Sequence, residues 1–342
     1  MGIERVSKIR KELKQIVEPI CEGGETEKYL ILPGQFRKII YKPSKNSVSL
    51  IRNHLSLYPS KKSRVASIFL PYLHYLPFWP KVELPRLEEF PGDVILKADR
   101  WKFFNLDNEE VRTYFDDKEK LKEEYWLRKA LDKTDVKCPQ ILGRTDNLLI
   151  EKYAEVESLE AITKHSLNKI NDFPRQLISF YKSKEISTSS IEEEVACVKE
   201  RLDEDMLQED SVTESIDLLE KNADQNVIRV TIHGDFHIGN LGLKGNNTYI
   251  FDWSTTRRGL LMEDFCFLFM RWHQITGNSE YLECLVQENP PREVKKLLEP
   301  YRKDFDIGSD LRFYLILTIL KRMSLTKRNE QLYLRNLREI TN

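Results

Sequence analysis

The chain has 342 residues, of which 40% are hydrophobic, so it is long enough to bury a large core in two or three lobes. Lysine and arginine nearly balance aspartate and glutamate, and the net charge of -1 gives no reason to expect nucleic-acid binding. Five scattered cysteines argue against a disulfide framework and indicate a reducing, cytoplasmic setting.

Residues 1–90 are predicted to form an N-terminal extension in which no catalytic pattern is visible. It opens with MGIERVSKIRKELKQIV, which is typical of an amphipathic helix and lacks the apolar centre of a signal peptide. The stretch KYLILPGQFRKIIYKP then predicts two short strands about Pro33 and Gly34.

The rest of this extension combines a basic segment with an apolar one. Eight basic residues and no acidic one lie between Arg37 and Arg64. Three prolines break the following run, VASIFLPYLHYLPFWP, which is too short to span a membrane. Burial in the protein is one interpretation of residues 37–80, and peripheral contact with an anionic membrane surface is the other.

Residues 91–153 have the pattern of a small strand-rich lobe. DVILKA, RWKFFNL and EVRTYF predict three strands, of which the last two are joined by a hairpin turn. DKEKLKEEYWLRKALDK has the broad apolar stripe of an amphipathic helix, and QILGRTDNLLIEKYAE predicts two further strands about a turn.

Residues 154–342 are predicted to be a larger, mostly helical lobe. The exception is a pair of β-like segments, NVIRVTIHGDF and NTYIFDW, which enclose a polar loop. The chain as a whole is therefore predicted to be α+β, with a small sheet lobe that carries one prominent helix.

Three kinds of chemistry could use this loop. His233, Asp235 and His237 alternate as metal ligands on a strand do, but a binuclear metal site needs more histidines than His273, which is all that follows. A nucleophile site would need a serine or cysteine on a strained turn, and the loop has none.

Phosphoryl transfer from ATP fits the loop better, because it requires alignment of the nucleophile and a magnesium ion on the phosphate oxygens. Asp235 can orient an attacking hydroxyl, and Asn240 offers an amide oxygen as a hard ligand. The spacing predicts that a hairpin brings Asp252 back beside Asn240 and completes an oxygen-rich site.

HGDFHIGN followed by IFDW closely resembles the signature of the aminoglycoside phosphotransferase and choline kinase-like family. Three more segments resemble the family in the same order: LKEEYWLRKALDKTDVKCPQIL, LLIEKYAEVESL and RRGLLMEDFCFL. The resemblance covers about residues 92–275. It implies a protein-kinase-like two-lobe fold, with an N-lobe over 91–153 and a C-lobe over 154–342.

The resemblance also implies roles for the loop residues. Asp235 would be the catalytic base, and Asn240 and Asp252 would bind Mg²⁺. His233 would brace the loop, and Asp264 would anchor it through the backbone. His237 is left open between a packing role and a part in the site.

For the nucleotide, the resemblance implies that Glu124 pairs with a basic residue on the preceding strand, which holds the ATP phosphates. Arg112 stands on that strand where the family has a lysine. Arginine is not equivalent to lysine at such a position, so Lys97 and Lys102 remain alternatives.

The hinge from Glu151 to Ala154, which includes Tyr153, would offer backbone groups to the adenine. The motifs depart from the family pattern at two positions. Val156, just after the hinge, stands in place of a glycine, and Ser254, just after Asp252, stands in place of an acidic residue. The implied co-substrate is ATP, with GTP as the alternative.

The predicted function is transfer of the γ-phosphoryl group to a hydroxyl of a small molecule such as a sugar, an amino alcohol or an aminoglycoside-like compound. The acidic run over residues 185–224 leaves open an amine-bearing acceptor. The alternative is a pseudokinase that binds a nucleotide or a partner without turnover. A protein kinase is disfavoured, because the loop has HGD instead of HRD and no activation segment follows Asp252.

Overall fold

The structure is a computed structural model of the chain. It describes residues 2–21, 25–32, 39–56, 80–86, 90–97, 100–159, 164–277, 280–286, 290–305, 307, 311–325 and 330–341. Most of the predicted basic and apolar segment, residues 57–79, lies outside these ranges. Among the helices of the described ranges, none combines the length and the apolar character that crossing a membrane requires.

The chain divides into two compact units, and each is described by itself. The first unit comprises residues 1–129 and 139–155, and the second comprises residues 130–138 and 156–342. The predicted α+β fold, with a lobe built on an antiparallel sheet and a larger, mostly helical lobe, is confirmed.

The first unit is built on one antiparallel sheet. Its elements are α1 (Gly2–Val17), β1 (Glu25–Leu32), β2 (Ile39–Tyr41), α2 (Lys45–Ser56), β3 (Lys81–Arg86), β4 (Val94–Lys97), β5 (Trp101–Asn105), β6 (Glu110–Tyr114), α3 (Lys118–Leu131), β7 (Ile141–Arg144) and β8 (Leu148–Lys152). The eight strands lie in the order β3-β1-β2-β4-β5-β6-β8-β7. The segment predicted as an N-terminal extension therefore contributes three strands to the same sheet.

One face of this sheet packs against α1 and is called the α1 face. Because side chains alternate along a strand and directly paired residues share a face, its members can be followed from strand to strand. Ile95 pairs with Phe103, and both are buried in one cluster with Leu13 and Val17 of α1.

The opposite face packs against α3 and α2 and is called the α3 face. Leu149 of β8 is buried with Leu121 of α3 near one edge of the sheet. Towards the other edge, Val94 and Tyr41 are buried with Ile51 of α2. The middle of this face, on β5 and β6, lies between the two helices.

The second unit is mainly helical. Its elements are β9 (Glu157–Ser158), α4 (Lys164–Lys169), α5 (Phe173–Lys182), β10 (Ser187–Ser190), α6 (Ile191–Lys199), α7 (Glu204–Leu207), α8 (Asp210–Glu220), β11 (Asn226–Ile232), β12 (Leu241–Lys244), β13 (Asn247–Ile250), β14 (Arg257–Leu260), α9 (Glu263–Thr276), α10 (Glu280–Glu283), α11 (Arg292–Phe305), α12 (Arg312–Leu325) and α13 (Glu330–Thr341). Two short 3₁₀ turns, Ile238–Asn240 and Trp253–Thr255, interrupt the strands.

Two small sheets in this unit hold the polar loop. One sheet has the order β10-β11-β14 and the other has the order β13-β12-β9. The strand β10 was not predicted, because Ser-Thr-Ser-Ser has no apolar alternation; it forms by pairing with β11. The loop leaves the first sheet at Ile232 and enters the second at Leu241.

Candidate active site

Gly234 sets the path of the loop after β11. Its φ is +86°, in the region where only glycine is unstrained. A Cβ atom at this position would lie 2.2 Å from the carbonyl oxygen of Thr255. The backbone of the loop thus approaches the 3₁₀ turn after Asp252 so closely that no other residue fits here.

Asp264, in the first turn of α9, binds the backbone of this part of the loop. Its carboxylate accepts hydrogen bonds from the backbone amide of His233 at 2.7 Å and from that of Gly234 at 2.9 Å. The hydroxyl of Tyr181 donates to the same group at 3.0 Å. Burial raises the pKa of Asp264, against the effect of these donors. Asp264 is thus bonded to the loop backbone in the way that the resemblance implies.

His233 braces the loop through both ring nitrogens. The backbone amide of Asp235 donates to Nδ1 at 3.3 Å, so the proton lies on Nε2, which donates to the carbonyl of Phe251 at 2.8 Å. The ring packs against Trp253 with centroids 4.7 Å apart. The imidazole is completely buried, and burial lowers its pKa.

This burial predicts a pH dependence of stability. The pKa of His233 is lower in the folded chain than the value of about 6.5 for an unfolded histidine. The stability of the folded chain that depends on neutral, buried His233 is therefore complete above pH 6.5. It is lost as the pH falls below this value, by up to about 1.4 kcal/mol per pH unit. We expect the melting temperature of a His233→Gln variant to start lower but to fall less between pH 7 and pH 5. His165→Gln, at an exposed position, should follow the wild-type slope; three parallel curves would contradict the expectation.

Asp235 lies at the turn of the loop beside His237. The backbone amide of Gly239 donates to Nδ1 of His237 at 3.0 Å, which leaves the Nε2 proton facing the Asp235 carboxylate at 3.5 Å. Burial opposes ionisation of Asp235, but the hydrogen bond from His237 and the charge of Arg322 outweigh it and lower the pKa of Asp235. His237, left open by the sequence, thus contacts the predicted catalytic carboxylate.

The predicted hairpin joins the two proposed metal ligands. β12 and β13 pair from Leu241 with Ile250, and the amide of Phe251 donates to the carbonyl of Asn240 at 2.9 Å. Asn240 and Asp252 therefore stand at the same end of one hairpin. Asp252 has the left-handed φ of 58°, which is rare outside glycine and typical of functional sites.

The donor set at this end of the hairpin suits a hard cation. The side-chain amide of Asn240 donates to the carbonyl of Asp235 at 2.9 Å, so its oxygen is directed to other contacts. Asp252 accepts a hydrogen bond from Ser254 at 2.7 Å through one oxygen, which leaves the second. Amide and carboxylate oxygens are the ligands that Mg²⁺ takes, so these residues fit the predicted ion.

Three charged residues beneath the loop were not predicted from the sequence. Arg322, on α12, donates to the carbonyl of Gly234 and lies 3.6 Å from the buried carboxylate of Glu263. Arg257 also pairs with Glu263. No local signal could identify Arg322, because 88 positions separate it from Gly234 and its helix has an ordinary apolar pattern.

In the first unit, Glu124 and Glu151 lie on either side of one buried arginine. Arg128 pairs with Glu151 at 2.7 Å and lies 3.9 Å from Glu124. Arg100 is the second basic neighbour of Glu124, also at 3.9 Å. These two neighbours lie on its own helix and just before β5, and the predicted partner of Glu124 on β6 stays a prediction.

Arg112 does not face this cluster. It pairs directly with Phe103 and so projects from the α1 face, whereas Glu124 is on the helix that covers the other face. Its guanidinium bonds Glu110 at 2.9 Å. The predicted contact of Arg112 with nucleotide phosphates remains a prediction, and this orientation does not favour it.

Tyr153 directly follows β8, the strand that carries Glu151. Its backbone amide donates to the carbonyl of Glu109, and the amide of Lys152 donates to Gln140 at 2.8 Å. The Tyr153 ring meets Phe104 edge-on with centroids 6.1 Å apart. Two amides of the predicted hinge are therefore already used within the unit, and the prediction of adenine contacts by this segment stays open.

Comparisons with known proteins agree with this architecture. Residues 187–294 match the model of the phosphotransferase enzyme family, APH. Comparison with curated proteins gives no match. Among solved structures, aminoglycoside phosphotransferase APH(4)-Ia has a TM-score of 0.50 at 11% identity, with 72% of this chain and 92% of that chain covered.

Two further solved structures match with lower TM-scores. Choline kinase LicA from Streptococcus pneumoniae has a TM-score of 0.45 at 14% identity, with 70% of this chain and 89% of that chain covered. Amicoumacin kinase hAmiN, in complex with AMP-PNP, Ca²⁺ and Ami, has a TM-score of 0.45 at 12% identity, with coverages of 72% and 87%.

The fold is the kinase-like one of aminoglycoside phosphotransferase APH(4)-Ia, and the loop lies in the part of the chain that matches the phosphotransferase family model. The suspected resemblance to the aminoglycoside phosphotransferase and choline kinase-like family is confirmed by the match over residues 187–294, which contain the loop, the hairpin and Asp264.

Proposed function

We propose that the protein transfers the γ-phosphoryl group of ATP to a hydroxyl group of a small molecule. The observation that carries the proposal is the arrangement at the loop. Asp235 is held as a carboxylate, and its own carbonyl bonds the amide of Asn240, which shares a hairpin end with Asp252. The proteins of similar fold are named as kinases of an aminoglycoside, choline and amicoumacin, which supports a small-molecule acceptor.

Asp235 orients the acceptor hydroxyl and takes its proton as the bond between the acceptor oxygen and the γ-phosphorus forms and the bond from that phosphorus to the bridging oxygen breaks, so that ADP leaves with the electron pair. His237 keeps the carboxylate in place, while Asp264 and His233 keep the loop backbone in one conformation. Asn240 and Asp252 would hold Mg²⁺, which supplies neutralisation of charge on the phosphate oxygens when bound.

The acidic run over residues 185–224 is partly used inside the second unit. Glu194 is buried and pairs with Lys321 and with Arg229 at 3.3 Å. Glu193 closes a capping box with Ser190 at the start of α6. These two carboxylates make stabilising contacts within the unit and are therefore not available to an amine-bearing acceptor.

The function is tested in two stages on the full chain. Calorimetric titration with ATP and with GTP, each with and without Mg²⁺, should show nucleotide binding that depends on the metal. Sugars, amino alcohols and aminoglycosides are then screened for acceptor-dependent ADP release. An absence of nucleotide binding would refute the proposal, whereas binding without turnover on any acceptor would favour the pseudokinase.

A further inference from the structure

The register of the first sheet determines which basic side chains share a face with Glu124. Lys102 of β5 pairs directly with Thr113 of β6, and Thr113 pairs directly with Leu149 of β8. Leu149 is buried with α3, so all three side chains project from the α3 face. Lys102 stands in the middle of this face, between the parts that α2 and α3 cover.

The other two basic candidates project from the α1 face and have partners there. Arg112 bonds Glu110, and Lys97 lies over the ring of Trp101 with its ammonium 4.9 Å from the centroid. Trp101 is buried in the cluster that contains α1. Neither side chain can reach the α3 face without crossing the sheet.

Thr113 provides an independent sign of a ligand on the α3 face. Its side chain is 4% exposed, and its Oγ1 has no hydrogen-bond partner in the part of the chain that the structure describes. A buried hydroxyl without a partner is destabilising, so such groups commonly meet a ligand or water. The group lies directly across from Lys102.

The ion pairs on the α3 face also suggest that Lys102 binds an anion that is not part of the described residues. Glu124 and Glu151 face Arg128 and Arg100, so the two carboxylates already have two guanidinium neighbours. Lys102 is half-buried, and no carboxylate of the described residues lies within ion-pair distance of it. An ammonium and a hydroxyl with free hydrogen-bonding capacity together suit phosphate oxygens.

We propose that Lys102 is the residue that binds the nucleotide phosphates, with the Thr113 hydroxyl beside it, and that Arg112 does not bind them. This inference rests on the proposed function, since it needs ATP as the ligand. Thr113 occupies the β6 position that faces α3, so the ammonium group is supplied by Lys102 on the neighbouring strand β5.

The test compares Mg²⁺-ATP affinity by calorimetric titration in the wild type, Lys102→Met and Arg112→Met. Lys102→Met should weaken binding by at least about ten-fold, the effect expected for loss of a charged hydrogen bond. Arg112→Met is the matched control on the opposite face, and its affinity should stay within about three-fold of the wild type because it loses only a partly buried ion pair with Glu110 on the other face of the sheet. The reverse order, or an unchanged Lys102→Met, would overturn the inference.

A double variant separates a binding role from a structural one. Lys102→Met combined with Thr113→Lys returns an ammonium to the same face from β6, and it should recover most of the lost affinity. Failure of the double variant to recover binding would overturn the proposed role of this face. Circular dichroism of Lys102→Met that shows lost folding would also overturn it, because the lower affinity would then have a structural cause. A wild type that binds no ATP would instead refute the proposed function itself.

Discussion

Replacing Asp235 by asparagine is expected to lower kcat for phosphoryl transfer by about 10²- to 10⁴-fold, the usual contribution of a positioned acid–base group. Asparagine preserves the shape of the side chain and its contact with His237, but it can neither take a proton nor hold the acceptor hydroxyl as an anion does. The measurement is acceptor-dependent ADP release, with Mg²⁺-ATP affinity measured in parallel.

Nucleotide affinity provides the control for this prediction. Asp235 is not proposed to bind the metal, so Asp235→Asn should bind Mg²⁺-ATP within a few-fold of the wild type. Asp252→Asn, by contrast, should weaken that binding, because an amide is a poorer ligand than a carboxylate for Mg²⁺. Full turnover by Asp235→Asn on the true acceptor would remove this residue from the mechanism.

Replacing Asp264 by alanine is expected to lower the free energy of unfolding by about 3–5 kcal/mol. The change leaves the buried amides of His233 and Gly234 and the hydroxyl of Tyr181 without their acceptor. Chemical denaturation measures the loss. Tyr181→Phe removes only one of the three donors and keeps the carboxylate, so it should cost about 1 kcal/mol. An Asp264→Ala variant no less stable than Tyr181→Phe would mean that the carboxylate does not hold the loop.

The geometry of the candidate catalytic loop could be predicted from the sequence because its parts are close together in the chain. Asp235 and Asn240 are five positions apart, and a hairpin of ordinary length returns Asp252 to them. The five strands and the helix of residues 91–153 were also predictable, since each has its own period and turn residues.

The sequence could not decide which of Arg112, Lys97 and Lys102 binds the nucleotide phosphates, because the face of the sheet to which each side chain belongs is not visible in it. Along a strand, one position decides the face, and Arg112 and Thr113 are neighbours in sequence. Which of them faces α3 depends on pairing with β8 and on the packing of both faces, neither of which is visible in EVRTYF. Arg322 is a similar case, because its contact with Gly234 is created only by the tertiary fold.

The three strands that residues 1–90 add to the sheet bear on how the protein can be dissected. β2 pairs along β4, and α1 covers the face that contains Ile95 and Phe103. Deleting this segment would therefore leave the backbone groups of β4 that pair with β2 without partners, beside newly exposed apolar side chains, a combination that promotes intermolecular pairing. Binding of a truncated chain to vesicles or to itself would report that damage and not a natural affinity, so substitution of the basic residues between Lys45 and Arg64 in the full chain is the better test for membrane contact.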